Sequence, residues 1–354
     1  MSEKANSRLL AFITRKREID SSKFLFLVTV CLFVVMYVLG MIMYHTKHFA
    51  TAQTFLNMLN NNAGLLVAAS GMTVVMIIGG IDISVGSVIG LVCMILAYGM
   101  TELKIPIGLS VLLVLLFGVA FGAFQGWLIA YLELQPFIIT LAGLFGCRGL
   151  TAIISTKQIY ITNKAFLAVA QAKILIPFKF LATVTRKGNI NYAFFYPSVV
   201  IALVVVVAVW FMLKYTRFGR NLFAIGGNEQ SALLMGINVK RTKFFAYMLE
   251  GFLAALAGFV FCLNTCAGFV EQARGFEMEA ISSAVIGGTM LTGGVGTVIG
   301  TFFGVLIKAT IEAFINFNGK LSSWWSRIFL SATLCLFIVL QSVITMLRSR
   351  RSEQ

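Results

Sequence analysis

Long apolar runs separated by short polar segments dominate the hydropathy pattern of the chain. A helix that crosses a bilayer needs about 20 mostly apolar residues, and ten stretches approach or reach that length. They lie at residues 24–44, 64–80, 84–100, 106–130, 137–155, 196–213, 244–264, 281–292, 294–316 and 327–346. The pattern therefore predicts an all-α, polytopic membrane helix bundle with about ten transmembrane helices.

Composition supports a membrane protein and excludes other classes. Of the 354 residues, 59% are hydrophobic and 12% are charged, whereas a soluble domain is about 45–50% apolar and about 25% charged. The net charge of +15 is also found in nucleic-acid-binding proteins. Here the basic residues lie in short loops and at the chain ends, as the positive-inside rule requires, so we expect no nucleic-acid partner.

The cysteines and histidines give no sign of a metal site. The six cysteines lie inside apolar stretches, no CxxC pair occurs, and the chain has two histidines. Cys262 and Cys266 are four residues apart, and we interpret them as small packing residues on one helix face. We expect no metal ligands in this chain.

The charge distribution predicts the topology. Basic residues before the first apolar run resemble the start of a signal peptide, but that run is longer than the 7–15 residues of a signal h-region. We therefore expect an uncleaved first span after a cytoplasmic segment, 1–23. An even number of spans in the permease domain, 24–346, returns the tail, 347–354, to the cytoplasm together with the basic loop 214–243. The segment 156–195 then falls outside and is either re-entrant or interfacial.

Two glycine-rich stretches resemble each other, "GGIDISVGSVIG" at 79–90 and "GGTMLTGGVGTVIG" at 287–300. Interrupted spans in matching positions of two halves can mark a transport path. The translocation-path candidates are Gly80, Asp82, Ser84, Thr140, Gly288 and Gly294.

The alternative role for most of the glycines is close helix packing. Small residues four apart on one helix face let two helix backbones approach. Three such sets occur, Gly86–Gly90, Gly118–Gly122–Gly126 and Gly296–Gly300–Gly304.

Few ionisable side chains lie in the predicted spans. Lys308 and Glu312 are four residues apart and are predicted to pair on one helix face. Asp82 is expected to cap the helix that follows it, and Glu250 is expected near the cytoplasmic face. Because no catalytic or ion-relay arrangement is present, a neutral polar substrate fits best. Polar residues that could line its path are Asn60, Asn61, Asn62, Ser70, Thr73, Thr140 and Asn264.

One compact polar motif, "GGNEQSALLMGINVKRTK", occupies residues 226–243. Asn228 is predicted to cap a short helix that runs to about Met235 and is ended by Gly236. The helix would offer Ala232 and its leucine neighbours to a groove on a partner protein. A simple surface turn between two spans is the alternative.

Three motifs in order resemble the permease subunits of bacterial ABC sugar importers, the family of ribose, galactose, xylose and arabinose permeases. They are "GGIDISVGSVIG", "AIGGNEQSALLMGINVKRTK" and "ISSAVIGGTMLTGGVGTVIGTFFGVLI", and the likeness covers about residues 60–345. "INFNGKLSSWW" at 315–325 is similar to the galactofuranose-importer branch.

The resemblance implies a type II ABC importer-like permease in the bacterial inner membrane, working by alternating access. The implied partners are an ABC ATP-binding subunit, a second permease copy or paralogue, and a periplasmic or lipid-anchored sugar-binding protein. ATP and Mg would be bound by the ATP-binding subunit, because this chain has no G-x-x-x-x-G-K-[ST] motif; it would be a transport subunit without enzymatic activity. The implied coupling contacts to the ATPase are Gly227, Asn228, Glu229, Ala232 and Gly236.

One departure and two rival functions accompany the resemblance. Glu250 stands where the family has a small or polar residue such as serine, which bears on how the base of this helix packs. The rivals are an ABC permease for a nucleoside or other small polar ligand, and a secondary transporter or channel that needs no ATPase. The second would require charged residues at the membrane midplane, where this chain has few.

Overall fold

The computed structural model describes residues 21–47, 49–177, 183–184, 190–322 and 324–352, so most of the predicted N-terminal segment 1–23 lies outside the described residues. The chain is predominantly helical. The helices are α1 (Ser21–Met43), α2 (Ala52–Ile77), α3 (Val85–Thr101), α4 (Ile107–Tyr131), α5 (Pro136–Ile154), α6 (Lys164–Gln171), α7 (Pro197–Tyr215), α8 (Arg217–Gly227), α9 (Glu229–Leu234), α10 (Val239–Thr265), α11 (Phe276–Ile286), α12 (Val298–Asn318) and α13 (Trp324–Ser352), with a 3₁₀ turn at His45–Lys47.

The predicted all-α membrane bundle is confirmed, but the count of about ten spans is not. Within the described residues, seven helices are long and apolar enough to cross a membrane: α1, α4, α5, α7, α10, α12 and α13. Helix α2 has 26 residues but carries three consecutive asparagines, and α3 has 17 residues. The predicted span 281–292 is instead the end of the 11-residue α11 followed by a turn, because Gly288 there adopts positive φ.

Helix α2 forms the centre of the bundle. Every residue from Asn62 to Ile78 is buried, as expected of a helix that is apolar on all sides. Helices α7, α10, α11 and α12 pack around it. The outer helices carry the large exposed apolar side chains that suit a lipid environment, for example Val34, Leu116, Phe145 and Val204.

Glycines let α4 and α10 approach backbone to backbone, as the packing interpretation predicts. A Cβ atom added at Gly122 would lie 2.9 Å from the Cα atom of Gly251, and one at Gly126 would lie 2.8 Å from the carbonyl oxygen of Phe244. Gly118 is equally crowded by Gly251. The seam leaves no room for side chains on this face, so it fixes the spacing of the two helices.

The segment 156–195 holds short strands rather than a spanning helix. In its described residues, β1 (Ile159–Tyr160), β2 (Ile174–Leu175), β3 (Thr183–Val184), β4 (Ile190–Asn191) and β5 (Phe194–Phe195) flank or follow the eight-residue α6. Strand β1 pairs with β6 (Ala267–Gly268), β2 with β5, and β3 with β4, all antiparallel. Because β6 follows the C-terminal end of α10, the paired part of this segment lies opposite α9, which precedes the start of α10.

Gly122→Leu is predicted to destabilise the chain, because the added side chain would separate α4 from α10. Overpacking a close seam costs about 1–3 kcal/mol or more, so the thermal midpoint of the purified protein should fall by several degrees. Gly146→Leu is the matched control, since a Cβ atom at this α5 glycine meets no atom within 4 Å. Equal midpoints for the two variants would contradict the seam.

Candidate functional site: the glycine junction and the α9 helix

A break in the helical backbone separates α2 from α3 at residues 78–84. Gly79 has a φ of +77°, which glycine adopts without a steric penalty. The Oδ1 atom of Asp82 accepts hydrogen bonds from the amide of Ser84 at 2.7 Å and from its hydroxyl at 2.6 Å. The residue at the N-cap of α3 is Ser84, so the prediction that Asp82 caps this helix is wrong. Asp82 instead closes a turn just before it.

Side chains from α4 and α5 hold this break in place. The amide nitrogen Nε2 of Gln125 donates to the hydroxyl of Ser84 at 3.2 Å. The hydroxyl of Thr140 lies 3.4 Å from the carbonyl oxygen of Ile81. It donates a hydrogen bond to the carbonyl oxygen of Pro136 at 2.9 Å. The structure thus places the path candidates Asp82, Ser84 and Thr140 around one break, where all three are buried.

A second break, residues 287–297, separates α11 from α12. Gly288, Gly293 and Gly294 have φ angles of +90°, +87° and +75°. The amide of Met290 donates to the carbonyl of Val295 at 2.9 Å and closes the turn. The two predicted path glycines of this break face different neighbours, because Gly288 lies against Leu25 of α1 and Gly294 lies against α8.

The two breaks meet each other and the end of α8. The amide of Gly294 donates to the carbonyl of Ile77 at 2.8 Å. A Cβ atom at Gly293 would lie 2.9 Å from the amide nitrogen of Gly79 and 3.1 Å from the carbonyl oxygen of Gly226. We call this set, Ile77, Gly79, Gly226, Gly293 and Gly294, the glycine junction. It consists almost wholly of backbone.

Sequence reasoning singled out both glycine-rich stretches and the 226–243 motif but did not connect them. Gly226 and Ile77 were missed as members of one site. The available signal was a Gly-Gly pair in each of the three segments, at 79–80, 226–227 and 293–294. A pair of glycines permits the close backbone approach that the structure shows.

The helix α9 follows the junction directly and forms as predicted. At its start, the Oδ1 atom of Asn228 accepts a hydrogen bond from the backbone amide of Ser231 at 2.8 Å. Just beyond its end, Gly236 has a φ of +80°. Both carboxylate oxygens of Glu229 accept hydrogen bonds from Lys243, at 2.8 and 2.7 Å. These contacts fix α9 against the start of α10.

The C-terminal end of α9 exposes apolar side chains. Leu234 is 88% exposed, and Leu233 and Met235 are also exposed. Ala232 is completely buried within the chain, so its methyl group packs inward while its neighbours project outward. A Cβ atom added at Gly227 or at Gly236 would meet no other atom within 4 Å. A coupling role for the five predicted residues stays a prediction.

A cavity of about 1230 Å³ opens between α9, the loop from α4 to α5, and the start of α10. Its walls include Glu133, Leu233 and Lys240, and it reaches Gly79, Gly80 and Tyr247 at the first break. The ammonium of Lys240 lies 2.8 Å from the carboxylate of Glu133, and this hydrogen bond lowers the pKa of Glu133. Gly80, a predicted path residue, therefore lies at the end of an opening beside α9.

Glu250 is buried inside the bundle. It is 0% exposed, and neither carboxylate oxygen has a hydrogen-bond partner among the described residues. The absence of a side chain at Gly71 of α2 leaves a space that the Glu250 carboxyl group fills. The expectation that Glu250 lies near the cytoplasmic face stays a prediction.

The predicted pair of Lys308 and Glu312 is confirmed at 2.6 Å. Lys308 also lies 3.0 Å from a carboxylate oxygen of Glu279 and donates to the Oδ1 atom of Asn62 at 3.0 Å. Glu279 was missed because sequence separation hides a contact between two helices. Of the polar residues predicted to line a path, Asn61 and Asn264 are exposed. The others are buried within the chain: Asn60, Asn62, Ser70, Thr73 and Thr140.

Broken helices inside a multi-pass bundle, with polar residues at the breaks, are typical of membrane transport proteins. The model of the family described as branched-chain amino acid transport system / permease component matches residues 54–338. The chain belongs to this family of transport permeases.

Individual relatives agree with this assignment. The chain is 43% identical to the inner membrane ABC transporter permease protein YjfF of Escherichia coli (strain K12), over 86% of this chain and 88% of the relative. It is 33% identical to the fructose import permease protein FruG of Bifidobacterium longum, over 90% of each chain. It is 34% identical to the ribose import permease protein RbsC of Haemophilus influenzae, over 79% of this chain and 82% of the relative. No solved structure matches the chain significantly. The resemblance to ABC sugar permeases is thus confirmed.

Gly226→Ala is predicted to disrupt the glycine junction. The added methyl carbon would lie 2.5 Å from the amide nitrogen of Gly294 and break its hydrogen bond to Ile77, so the thermal midpoint of the purified chain should fall. Loss of a buried backbone hydrogen bond costs about 1–3 kcal/mol.

The adjacent glycine supplies the control for this stability measurement. A methyl group at Gly227 meets no atom within 4 Å, so Gly227→Ala should keep the wild-type midpoint in the isolated chain. Indistinguishable midpoints for Gly226→Ala, Gly227→Ala and the wild type would show that the junction is loosely packed.

Proposed function

We propose that this chain is the permease subunit of an ATP-driven sugar importer, that it forms the translocation path for a monosaccharide, and that movement of an ATP-binding subunit enters it through α9. The observation that carries the proposal is the glycine junction. It joins the helix next to the exposed α9 to both backbone breaks of the membrane bundle through direct backbone contacts.

The junction suits transmission of movement. Side chains at an interface can change rotamer and absorb a displacement, whereas closely packed backbone leaves little such freedom. A shift of α8 would therefore act on Ile77 and Gly294 together. Because these residues end α2 and precede α12, both breaks would respond to one displacement, as a two-state transporter requires.

The face of α9 suits a docking partner. Leu233, Leu234 and Met235 form an exposed apolar patch at the end of α9, which is capped by Asn228 and held by one ion pair, Glu229 with Lys243. Such a patch on a short helix fits a hydrophobic groove. We assign the ATP-binding subunit to this patch, with ATP and Mg bound by that subunit. The end of the bundle that carries α9 would then face the cytoplasm, together with both chain termini.

The remaining partners follow from the same arrangement. A sugar-binding protein would deliver substrate at the opposite end, where β1 pairs with β6. A second permease, identical or related, would complete the path beside this chain. The exposed apolar side chains of α5, such as Phe145 and Ile153, are available either to that second permease or to lipid.

The substrate class follows from the relatives. The names of two of them specify fructose and ribose, which are neutral monosaccharides, and we infer the same class here. Galactofuranose is the particular sugar favoured by the stretch at 315–325, which is similar to galactofuranose-importer permeases. That stretch links the end of α12 to the start of α13.

Leu234→Asp is predicted to abolish docking of the ATP-binding subunit without affecting membrane insertion, because a carboxylate would enter an apolar groove unpaired. The tagged protein is extracted from its native host in mild detergent, and copurifying proteins are identified by mass spectrometry. An ABC ATPase should accompany the wild type and fall at least tenfold in the variant.

Leu103→Asp provides the matched control, since Leu103 is an exposed apolar residue of the loop between α3 and α4, away from α9. The control should retain the ATPase. Recovery of equal amounts of ATPase with Leu234→Asp and the wild type would reject the α9 assignment, and absence of any ATPase from the wild type would reject the importer itself.

A further inference from the structure

The exposed surface of the bundle divides into apolar and polar parts. Among the described residues, helices α2, α3, α10 and α12 carry no large exposed apolar side chain, and α11 carries one, Met278. The exposed positions of α2 are Asn57 and Asn61, and the exposed position of α12 is Asn316. At its C-terminal end, α10 exposes Asn264. Helices α2 and α12 therefore reach the surface through amide side chains, and α10 exposes another amide at its C-terminal end.

An ion-pair cluster lies beside these asparagines. Lys308 is buried, while the side chains of its partners Glu279 and Glu312 are 25% and 34% exposed. One oxygen of each carboxylate pairs with the ammonium of Lys308. The second oxygen of each carboxylate has no partner among the described residues. These second carboxylate oxygens can therefore accept hydrogen bonds from a bound molecule.

The depth of this cluster excludes a lipid-facing position. Lys308 is the middle residue of the 21-residue α12, about 15 Å from either end at 1.5 Å per residue. Charged groups at this depth are costly in lipid, and they almost always pair with one another and face the bundle interior or a water-filled cavity. The partly exposed carboxylates thus mark a face that is turned away from lipid.

Two contacts flank the exposed Asn61 of α2. On one side of it, the side-chain amide of Asn264 donates to the carbonyl oxygen of Asn60 at 2.9 Å, and on the other, Lys308 donates to the Oδ1 atom of Asn62 at 3.0 Å. Asn316 follows Glu312 by four residues and shares its face of α12. We call Asn61, Asn264, Glu279, Glu312 and Asn316 the amide–carboxylate face. Because α9 precedes the N-terminal end of α10 and Asn264 lies near its C-terminal end, this face lies in the half of the bundle opposite α9.

We propose that the amide–carboxylate face is a substrate-binding site of the translocation path, and that it binds neutral polyhydroxylated molecules; this rests on the proposed function. The open carboxylate oxygens accept hydrogen bonds from sugar hydroxyls, and the asparagine amides donate as well as accept. The buried ammonium of Lys308 pairs with one oxygen of each carboxylate and so orients both groups. Two carboxylates against one ammonium leave one negative charge, which disfavours anionic ligands.

The test uses the assembled importer, purified with its copurifying ATPase and permease partners and reconstituted into liposomes with its binding protein. Radiolabelled ribose, xylose, fructose and galactose are the probes, and the sugar transported by the wild type is carried forward. The readout is the number of sugar molecules transported per ATP hydrolysed. Glu279→Gln and Glu312→Gln should each lower this ratio roughly tenfold, the effect of one lost charge-assisted hydrogen bond.

Glu271→Gln is the matched control, because this exposed carboxylate pairs with Arg274 outside the face; it should keep the wild-type ratio. A purely structural role for the cluster predicts that transport and ATPase activity fall in parallel, with the ratio unchanged, and that result would overturn the proposal. The proposal would also be overturned if both glutamine variants kept the wild-type number of sugar molecules per ATP together with full ATPase activity. A wild type whose ATPase responds to the binding protein but which transports none of the sugars would overturn the proposed function as well.

Discussion

One short contact holds the functional part of this permease together: the amide of Gly294 donates to the carbonyl of Ile77, and Gly226 packs against both. Three separate regions of the chain meet there without side chains between them. Each of the two breaks must leave helical geometry for the contact to form, which explains the positive φ angles of Gly79, Gly293 and Gly294. The breaks are therefore structural requirements of the junction.

The remainder of the bundle supports that junction from two directions. The glycine seam between α4 and α10 fixes the helix that begins directly after α9, while Gln125 and Thr140 hold the first break. Near the middle of α12, the Lys308 cluster links α2, α11 and α12, three of the four helices that flank the two breaks. The exposed apolar surface of α9 and the amide–carboxylate face thus connect to the same set of inner helices.

Features governed by local sequence could be predicted. The apolar runs predicted most spans, Asn228 and Gly236 predicted the bounds of α9, and the spacing of Lys308 and Glu312 predicted their ion pair. These depend on contacts within a few residues, where helical periodicity decides which side chains meet. The packing role of Gly118, Gly122 and Gly126 was predicted for the same reason.

Features that depend on distant contacts could not be predicted. The apolar composition of 281–292 suggested a span, but α11 ends just before Gly287 and Gly288, and the next glycines, Gly293 and Gly294, approach Gly226. Glu279 joins Lys308 from another helix, and Glu250 is buried because Gly71 leaves it space. In each case the partner is remote in sequence, and nothing in the local pattern specifies it.

The central claim is that α9 and both helix breaks move as one unit, and hydrogen–deuterium exchange of the assembled importer tests it most directly. Exchange is compared between the nucleotide-free state and the ATP-bound state of a hydrolysis-deficient ATPase. The account predicts that nucleotide changes protection in α9, in residues 78–84 and in residues 287–297 together, with α13 unaffected. A change confined to α9, with both breaks unaltered, would contradict it.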